Sequence, residues 1–172
     1  LIFISLLFSI LSLSVSAQKP TKAEKAAQLE QEFQQTRQLI ESNHFQFELN
    51  RVYPQDGQDL SRFNPRGKFV ITDSVAKGTL PFFGRAYSLP YGEGGGIEFD
   101  GVMKDQSLKI EHKKKRKILI YRFSITAKND TYQISMEISG SGNCSVNLNS
   151  NNRAQISYSG TVSPVKDETG KS

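Results

Sequence analysis

The chain of 172 residues has a hydrophobic fraction of 37%, a charged fraction of 23% and a formal net charge of +5. This length allows one domain with its own core, and the composition excludes a fully disordered chain. The excess of positive charge is small for a dedicated nucleic-acid-binding protein, and most of it lies in one short run.

Residues 1–17 carry no charge and end in Val15-Ser16-Ala17. Small or neutral residues at this point suit signal peptidase, so we expect a signal peptide at 1–17 that is cleaved after Ala17. A membrane anchor is the alternative, although the stretch is short and rich in Ser near its end. No Met or charged segment precedes it, so we expect either that a few native N-terminal residues are missing or that the gene start is misplaced. We therefore predict a periplasmic or secreted protein with no stable membrane span after cleavage.

Residues 18–43 form the predicted N-terminal helical segment, with the helix itself from about Lys22 to Ser42. Apolar side chains three, four and seven residues apart form one stripe on this helix, which predicts that one face docks and the other is wet. The stripe consists of Ala26, Leu29, Phe33 and Ile40.

From residue 44 to residue 165 the apolar residues alternate with polar ones, which is typical of strands with one buried face. We predict a mainly β (α+β) domain, an antiparallel meander of about eight or nine strands that forms a barrel or a sandwich beside the single helix. A flexible tail is expected at 166–172. The predicted strands begin at His44, Lys68, Ser74, Gly96, Ser107, Ile118, Thr131, Cys144 and Ala154, with a hairpin turning at Asp105-Gln106.

Cys144 is the single cysteine, so no internal disulfide can form, and its position among apolar neighbours predicts a small buried side chain. The sequence contains no His-Glu-x-x-His motif, no Ser-centred elbow and no Cys pair. We therefore predict no catalytic residue, no metal site and no cofactor.

The stretch LPFFGRAYSLPYGEGGGIEF, residues 80–99, combines prolines, aromatic residues, one Arg and a glycine run. No Lys-Ser/Thr pair or helix follows the glycines, so a phosphate-binding loop is excluded. The aromatic rings either cover the end of the sheet or form a binding surface, because aromatic rings beside one Arg suit sugars, peptides and anionic groups. The candidate binding residues are Phe82, Phe83, Arg85, Tyr87 and Tyr91.

The segments DSV at 73–75, LPFFGRAY at 80–87, PYG at 90–92, GIEF at 96–99 and ISYSG at 156–160 resemble an uncharacterised exported bacterial family, domain of unknown function 4251. The resemblance covers nearly all of the mature chain, with Phe82 where we expect Tyr to be common. It implies location in the cell envelope and a shared fold, and it implies no reaction. Without a Cys at the cleavage point, the protein resembles a soluble member.

The run His112-Lys-Lys-Lys-Arg-Lys117 lies between two predicted strands and is expected to form a hairpin tip. Such a charged tip keeps a sheet soluble, or it docks to an anionic envelope surface or polymer. Nucleic acid is disfavoured as a partner by the predicted compartment.

Glu98 and Asp100 lie on one face of a predicted strand, roughly 7 Å apart, a spacing that glycoside hydrolysis accepts. Alternating charge on a wet face is the commoner reason for such a pair. We therefore predict an exported, non-catalytic binding or interaction module of the envelope, with an unknown envelope component or small ligand as its partner. A glycan-acting hydrolase using Glu98 or Asp100 and a β-barrel carrier of an apolar ligand are the alternatives.

Overall fold

A computed structural model describes residues 21–87, 95–113, 116–127 and 130–166. The predicted signal peptide, the residues of the tail after 166, Tyr91 and Lys114-Lys115 lie outside the described residues. The described elements are one α-helix, a short 3-10 turn at Ser61–Phe63 and eight strands. Their bounds are α1 Lys22–Glu41, β1 His44–Pro54, β2 Lys68–Thr72, β3 Val75–Leu80, β4 Ile97–Lys113, β5 Arg116–Ala127, β6 Asp130–Ser139, β7 Asn143–Ser150 and β8 Ile156–Pro164.

The eight strands form a closed antiparallel barrel, in which each strand pairs with the next and β8 pairs with β1. The closing pair runs from Phe45↔Pro164 to Pro54↔Ile156, with a bulge between Leu49 and Arg51. Closure removes the two edges that an open meander would leave exposed along most of the sheet. The prediction of a mainly β domain with one helix is confirmed, and the barrel is the architecture that forms.

The barrel interior is filled by the side chains that alternate inward along the strands, as the period-two pattern predicts. Phe47 stacks on Phe69 with ring centroids 5.0 Å apart, and Phe69 lies 5.8 Å from Phe99. Tyr121 contacts both Phe45 and Phe123 on the other side of the interior. Each such side chain contributes roughly 1.5–3 kcal/mol when it leaves water, so this aromatic core accounts for much of the stability.

The helix begins at a capping box, in which the Thr21 side chain accepts from Glu24 N and the Glu24 carboxylate accepts from Thr21 N. Only its second half docks on the barrel. Phe33 and Ile40 are buried, whereas the predicted stripe residues Ala26 and Leu29 are exposed. The prediction of one continuous docked stripe is therefore wrong for the first half, because that half extends past the barrel that would cover it.

The predicted hairpin at Asp105-Gln106 is also wrong, since β4 continues through these residues as a single strand of 17 residues. A bulge between Lys104 and Ser107 takes up the turn-like sequence, and Asp105 adopts a positive φ of 52° within it. The Asp105 carboxylate accepts from Ser124 Oγ at 2.8 Å, and Gln106 Oε1 accepts from the Tyr121 hydroxyl at 2.9 Å. These bonds to β5 hold the chain in the sheet.

The barrel has two distinct ends. We call the end with α1, the β2–β3 turn and the tip of the β4–β5 hairpin the helix end. We call the opposite end, with residues 55–67, 81–87, 95–96 and 151–155, the loop end. At the helix end Thr36 Oγ1 donates to Gly140 O at 2.7 Å, which ties the helix to the β6–β7 turn.

Candidate functional site

Residues 81–87, which we call the aromatic segment, cross the loop end of the barrel and are held there by backbone hydrogen bonds. Tyr87 N donates to Asn152 O at 2.8 Å, and Ala154 N donates to Arg85 O at 2.9 Å. These bonds join the segment to residues 151–155 as an isolated antiparallel bridge. The segment therefore has a defined backbone, although it belongs to no strand of the barrel.

Tyr158 anchors the start of the aromatic segment from inside the barrel. Its side chain is fully buried, and its hydroxyl donates to Pro81 O at 2.9 Å. Burial raises the pKa of Tyr158 well above its usual value, so the hydroxyl keeps the proton that this bond needs. Pro81 contributes no backbone donor of its own here, but its carbonyl is satisfied.

A buried cation lies beneath the segment. Arg153 is 5% exposed, and its guanidinium lies 5.1 Å from the centroid of the Phe82 ring. The Nη1 atom donates to Gly95 O at 3.4 Å, and Nε lies 3.9 Å from a carboxylate oxygen of Asp130, whose side chain is 9% exposed. Phe82 itself is half-buried and packs against the barrel core, so it supports the segment from below.

The remaining described side chains of the candidate surface point to solvent. Phe83 is 45% exposed and Tyr87 is 67% exposed. Arg85 is also exposed, and among the described residues no carboxylate or hydrogen-bond acceptor pairs with its guanidinium. The structure thus brings one exposed cation and two exposed rings together on a fixed backbone. Tyr91, the fifth candidate, lies outside the described residues.

A concave surface lies on the outer face of the barrel across β1–β5, and we call it the outer groove. Its volume is about 1020 Å³. Glu48, Lys68, Thr79 and Glu98 lie directly opposite one another across β1–β4 and form one row of its lining. The remaining charged lining residues are Arg66, Lys77 and Asp100, so cations and anions are balanced.

The two carboxylates that could act in hydrolysis, Glu98 and Asp100, both line the outer groove. Lys77 Nζ lies 2.7 Å from the Asp100 carboxylate, and this hydrogen bond raises the pKa of Lys77. Asp100 is therefore already engaged by a neighbouring strand. Glu98 makes no hydrogen bond or ion pair with another described residue, and it is the freer of the two.

Comparison with known proteins identifies the family. The sequence matches the family described as Domain of unknown function (DUF4251) over residues 27–162. The chain belongs to this family. The barrel of this DUF4251 protein is similar to the crystal structure of a DUF4251 family protein from Bacteroides eggerthii DSM 20697, with 22% sequence identity and a TM-score of 0.56. That match covers 80% of this chain and 91% of the other, and at this identity it shows the fold alone.

No curated protein matches this DUF4251 chain significantly. Within the described part of the chain, no helix has the length and hydrophobicity that a membrane crossing requires. The described residues also contain no group of three or more His, Cys, Asp or Glu side chains that could hold a metal ion.

The basic run of this DUF4251 protein flanks the tip of the β4–β5 hairpin, as predicted, since β4 ends at Lys113 and β5 begins at Arg116. Two of its cations are paired: Lys113 Nζ lies 2.7 Å from Glu137, and Lys117 Nζ lies 2.9 Å from Glu30. Lys117 also lies 5.6 Å from the Phe33 ring centroid, so it links the hairpin to the helix. The run has a structural role at these two positions.

Cys144 is 3% exposed, and burial raises the pKa of its thiol well above its usual value. The thiol therefore stays protonated and enclosed, and the prediction of a buried cysteine is confirmed.

Sequence reasoning did not identify Arg153 and Asp130, which carry the buried charge under the aromatic segment. Both lie beside turn-like residues, where a charged side chain is ordinarily solvated. Only the pairing of residues 151–155 with the aromatic segment brings Arg153 under Phe82. The cations of the outer groove were missed for a similar reason, since a row of residues across strands has no signature along the chain.

Proposed function

We propose that this protein is a non-catalytic binding module that acts after export, in the cell envelope, and that the aromatic segment carries its contact surface. The observation that supports this most directly is the contrast between the fixed backbone of the segment and the exposure of its side chains. Phe83, Arg85 and Tyr87 stand in water on a backbone that two hydrogen bonds join to the barrel. A surface fixed in this way loses little conformational entropy when it binds.

The chemistry of these side chains favours a ligand with apolar ring faces and a negative charge. The rings of Phe83 and Tyr87 offer stacking faces to sugar or other flat groups. The Arg85 guanidinium offers a bidentate site for a carboxylate or phosphate. We therefore infer an anionic saccharide of the envelope as the ligand class. Phe82 supports the proposed surface from beneath, and Tyr91, the remaining candidate from the sequence, lies outside the described residues.

The uncharged residues 1–17, which end in a small-residue cleavage pattern, support export. We therefore propose that the ligand lies outside the cytoplasm.

Binding of a carboxylate-bearing oligosaccharide, measured by isothermal titration calorimetry against its uncharged counterpart, tests the proposal. The wild-type protein should bind the charged oligosaccharide more tightly. Arg85→Ala removes a charge-assisted contact worth about 1.5–3 kcal/mol, so the affinity should fall roughly ten- to hundredfold. The melting temperature should not change, because Arg85 is exposed.

Arg62 provides the matched control, because its guanidinium lies 4.8 Å from the ring centroid of the exposed Phe63 elsewhere at the loop end. Arg62→Ala should leave the affinity unchanged. If Arg85→Ala instead lowers the melting temperature by many degrees, Arg85 is structural and the proposed surface is wrong. Equal affinity for the charged and uncharged oligosaccharides would also contradict the assignment of Arg85.

A glycan hydrolase is the second candidate, because Glu98 and Asp100 both line the outer groove. It predicts that the same oligosaccharide is cleaved and that Glu98→Gln abolishes cleavage, whereas a binding module returns it intact. The third alternative, a carrier of an apolar ligand, is disfavoured by the aromatic side chains that fill the barrel interior.

A further inference from the structure

One strand of the barrel has an edge that no described strand covers. Strand β4 pairs with β3 only from Ile97 to Val102, whereas its pairing with β5 continues to Lys113. The outer half of β4, residues 107–113, which we call the free edge, therefore pairs with a described strand on one side only. At about 3.3 Å per residue, it extends roughly 23 Å beyond the bulge.

The free edge is accessible to another chain. Residues 109–113 are all exposed, and the apolar Ile110 is 40% exposed. In an antiparallel pair, alternate residues direct their N–H and C=O groups away from the paired strand. No described strand pairs with these groups along the free edge, which makes them a template for an added strand.

The charges around the free edge are mainly positive. Lys109, His112 and Arg116 form no ion pair with any described residue. Glu111 is the only acidic residue in the sequence between residues 107 and 117. Lysine on an edge strand opposes pairing with a second copy of the same edge, because like charges would then face each other. The same charges attract an acidic strand.

We propose that the free edge of β4 binds an extended acidic segment of a protein partner, which adds to the barrel as an antiparallel or parallel strand beside residues 107–113. Backbone hydrogen bonds provide the affinity, and Lys109 and Arg116 select for carboxylates. The surface is separate from the aromatic segment and does not depend on the function proposed for it.

Three synthetic ten-residue peptides test this proposal with the intact protein. The first alternates Glu with Val and Thr, the second replaces Glu with Lys, and the third keeps every Glu but has Pro at two central positions. Proline removes backbone donors without changing the charge. Only the first peptide should bind by calorimetry, and it should slow hydrogen exchange of alternate amides within residues 107–113 by about tenfold or more.

Charge reversal on the protein provides the second arm. Lys109→Glu should raise the Kd of the first peptide by about tenfold. Arg62→Glu makes the same change of net charge at the loop end and should leave the affinity unaltered. Lys109 is exposed, so both variants are expected to fold.

Several results would overturn the proposal. Equal binding of the proline peptide would show a contact of charges without strand addition, as expected for an anionic surface or polymer. Equal binding of the lysine peptide would show that the free edge does not select its partner by charge. Slowed exchange of residues 107–113 in the protein alone, together with dimers in sedimentation analysis, would identify a second copy as the occupant.

Discussion

The buried cation Arg153 allows a sharp test of how the aromatic segment is held. Replacing Arg153 with Met keeps the apolar stem and removes the charge that faces Asp130 and the Phe82 ring. Asp130 would then be a largely enclosed carboxylate whose remaining partners among the described residues are Ser150 Oγ at 2.6 Å and Thr131 N at 2.8 Å. Breaking a buried ion pair by removal of one partner costs about 3–5 kcal/mol.

The structure places this substitution at the lower end of that range. The closest Arg153–Asp130 approach is 3.9 Å, and Nε has no hydrogen-bond partner. We therefore expect Arg153→Met to lower the free energy of unfolding by about 3 kcal/mol. For a chain of this size, that corresponds to a fall of about 6–12 °C in the melting temperature.

Thermal unfolding followed by circular dichroism measures this fall, and limited proteolysis reports whether residues 81–87 open first. Adding Asp130→Asn to Arg153→Met removes the orphaned charge and should restore about half of the lost stability. Arg122→Met, at an exposed position on β5, should change the stability by less than about 0.5 kcal/mol. A melting temperature for Arg153→Met within about 2 °C of wild type would refute the assigned role of this buried charge, because ordinary surface substitutions cause shifts of that size.

Two further predictions concern the barrel core. A Cβ atom at Gly160 would overlap Glu48 O and lie 2.7 Å from the Phe47 ring. Gly160→Ala should therefore lower the free energy of unfolding, measured in urea, by about 2 kcal/mol or more. An unchanged urea midpoint would contradict this close packing. Burial raises the pKa of Tyr121 to about 12, so the folded state keeps a proton that the unfolded state releases above its ordinary value of 10.0. The stabilisation that comes from this shift should therefore be fully present below pH 10 and be lost as the pH rises toward 12. In Tyr121→Phe the free energy of unfolding should fall less steeply over this range. Identical pH profiles for the two proteins would show that Tyr121 is not the cause of the fall.

The inward faces of the strands were predictable from the sequence, because apolar side chains alternate with polar ones along most of each strand. Phe45, Phe47 and Leu49 on β1 follow this rule and are all buried. Closure into a barrel was not predictable, since the pairing of β1 with β8 joins residues more than a hundred positions apart. Periodicity identifies the face of a strand and carries no information about its neighbour.

The errors at Asp105 and Leu29 have a common physical origin. A turn-forming residue was interpreted as a reversal of the chain, but hydrogen bonds to β5 stabilise a bulge there instead. An apolar residue on the helix was interpreted as buried, but the barrel does not extend far enough to cover it, and Leu29 remains 65% exposed. In both cases the outcome depends on a neighbouring element, which local sequence does not specify.

The aromatic segment shows the same limit of local sequence in the prediction of function. The sequence offered two interpretations of the aromatic stretch, cover for the sheet or contact with a ligand, and the structure divides the residues between them. Phe82 packs on the core and against the Arg153 guanidinium beneath it, whereas Phe83 and Tyr87 stay in water. A buried cation is a costly support for a surface loop unless its position matters, because desolvation of the charge is only partly offset. This cost is an argument that the position of the exposed rings matters. It also connects the stability of Arg153 variants with the binding function proposed for Arg85.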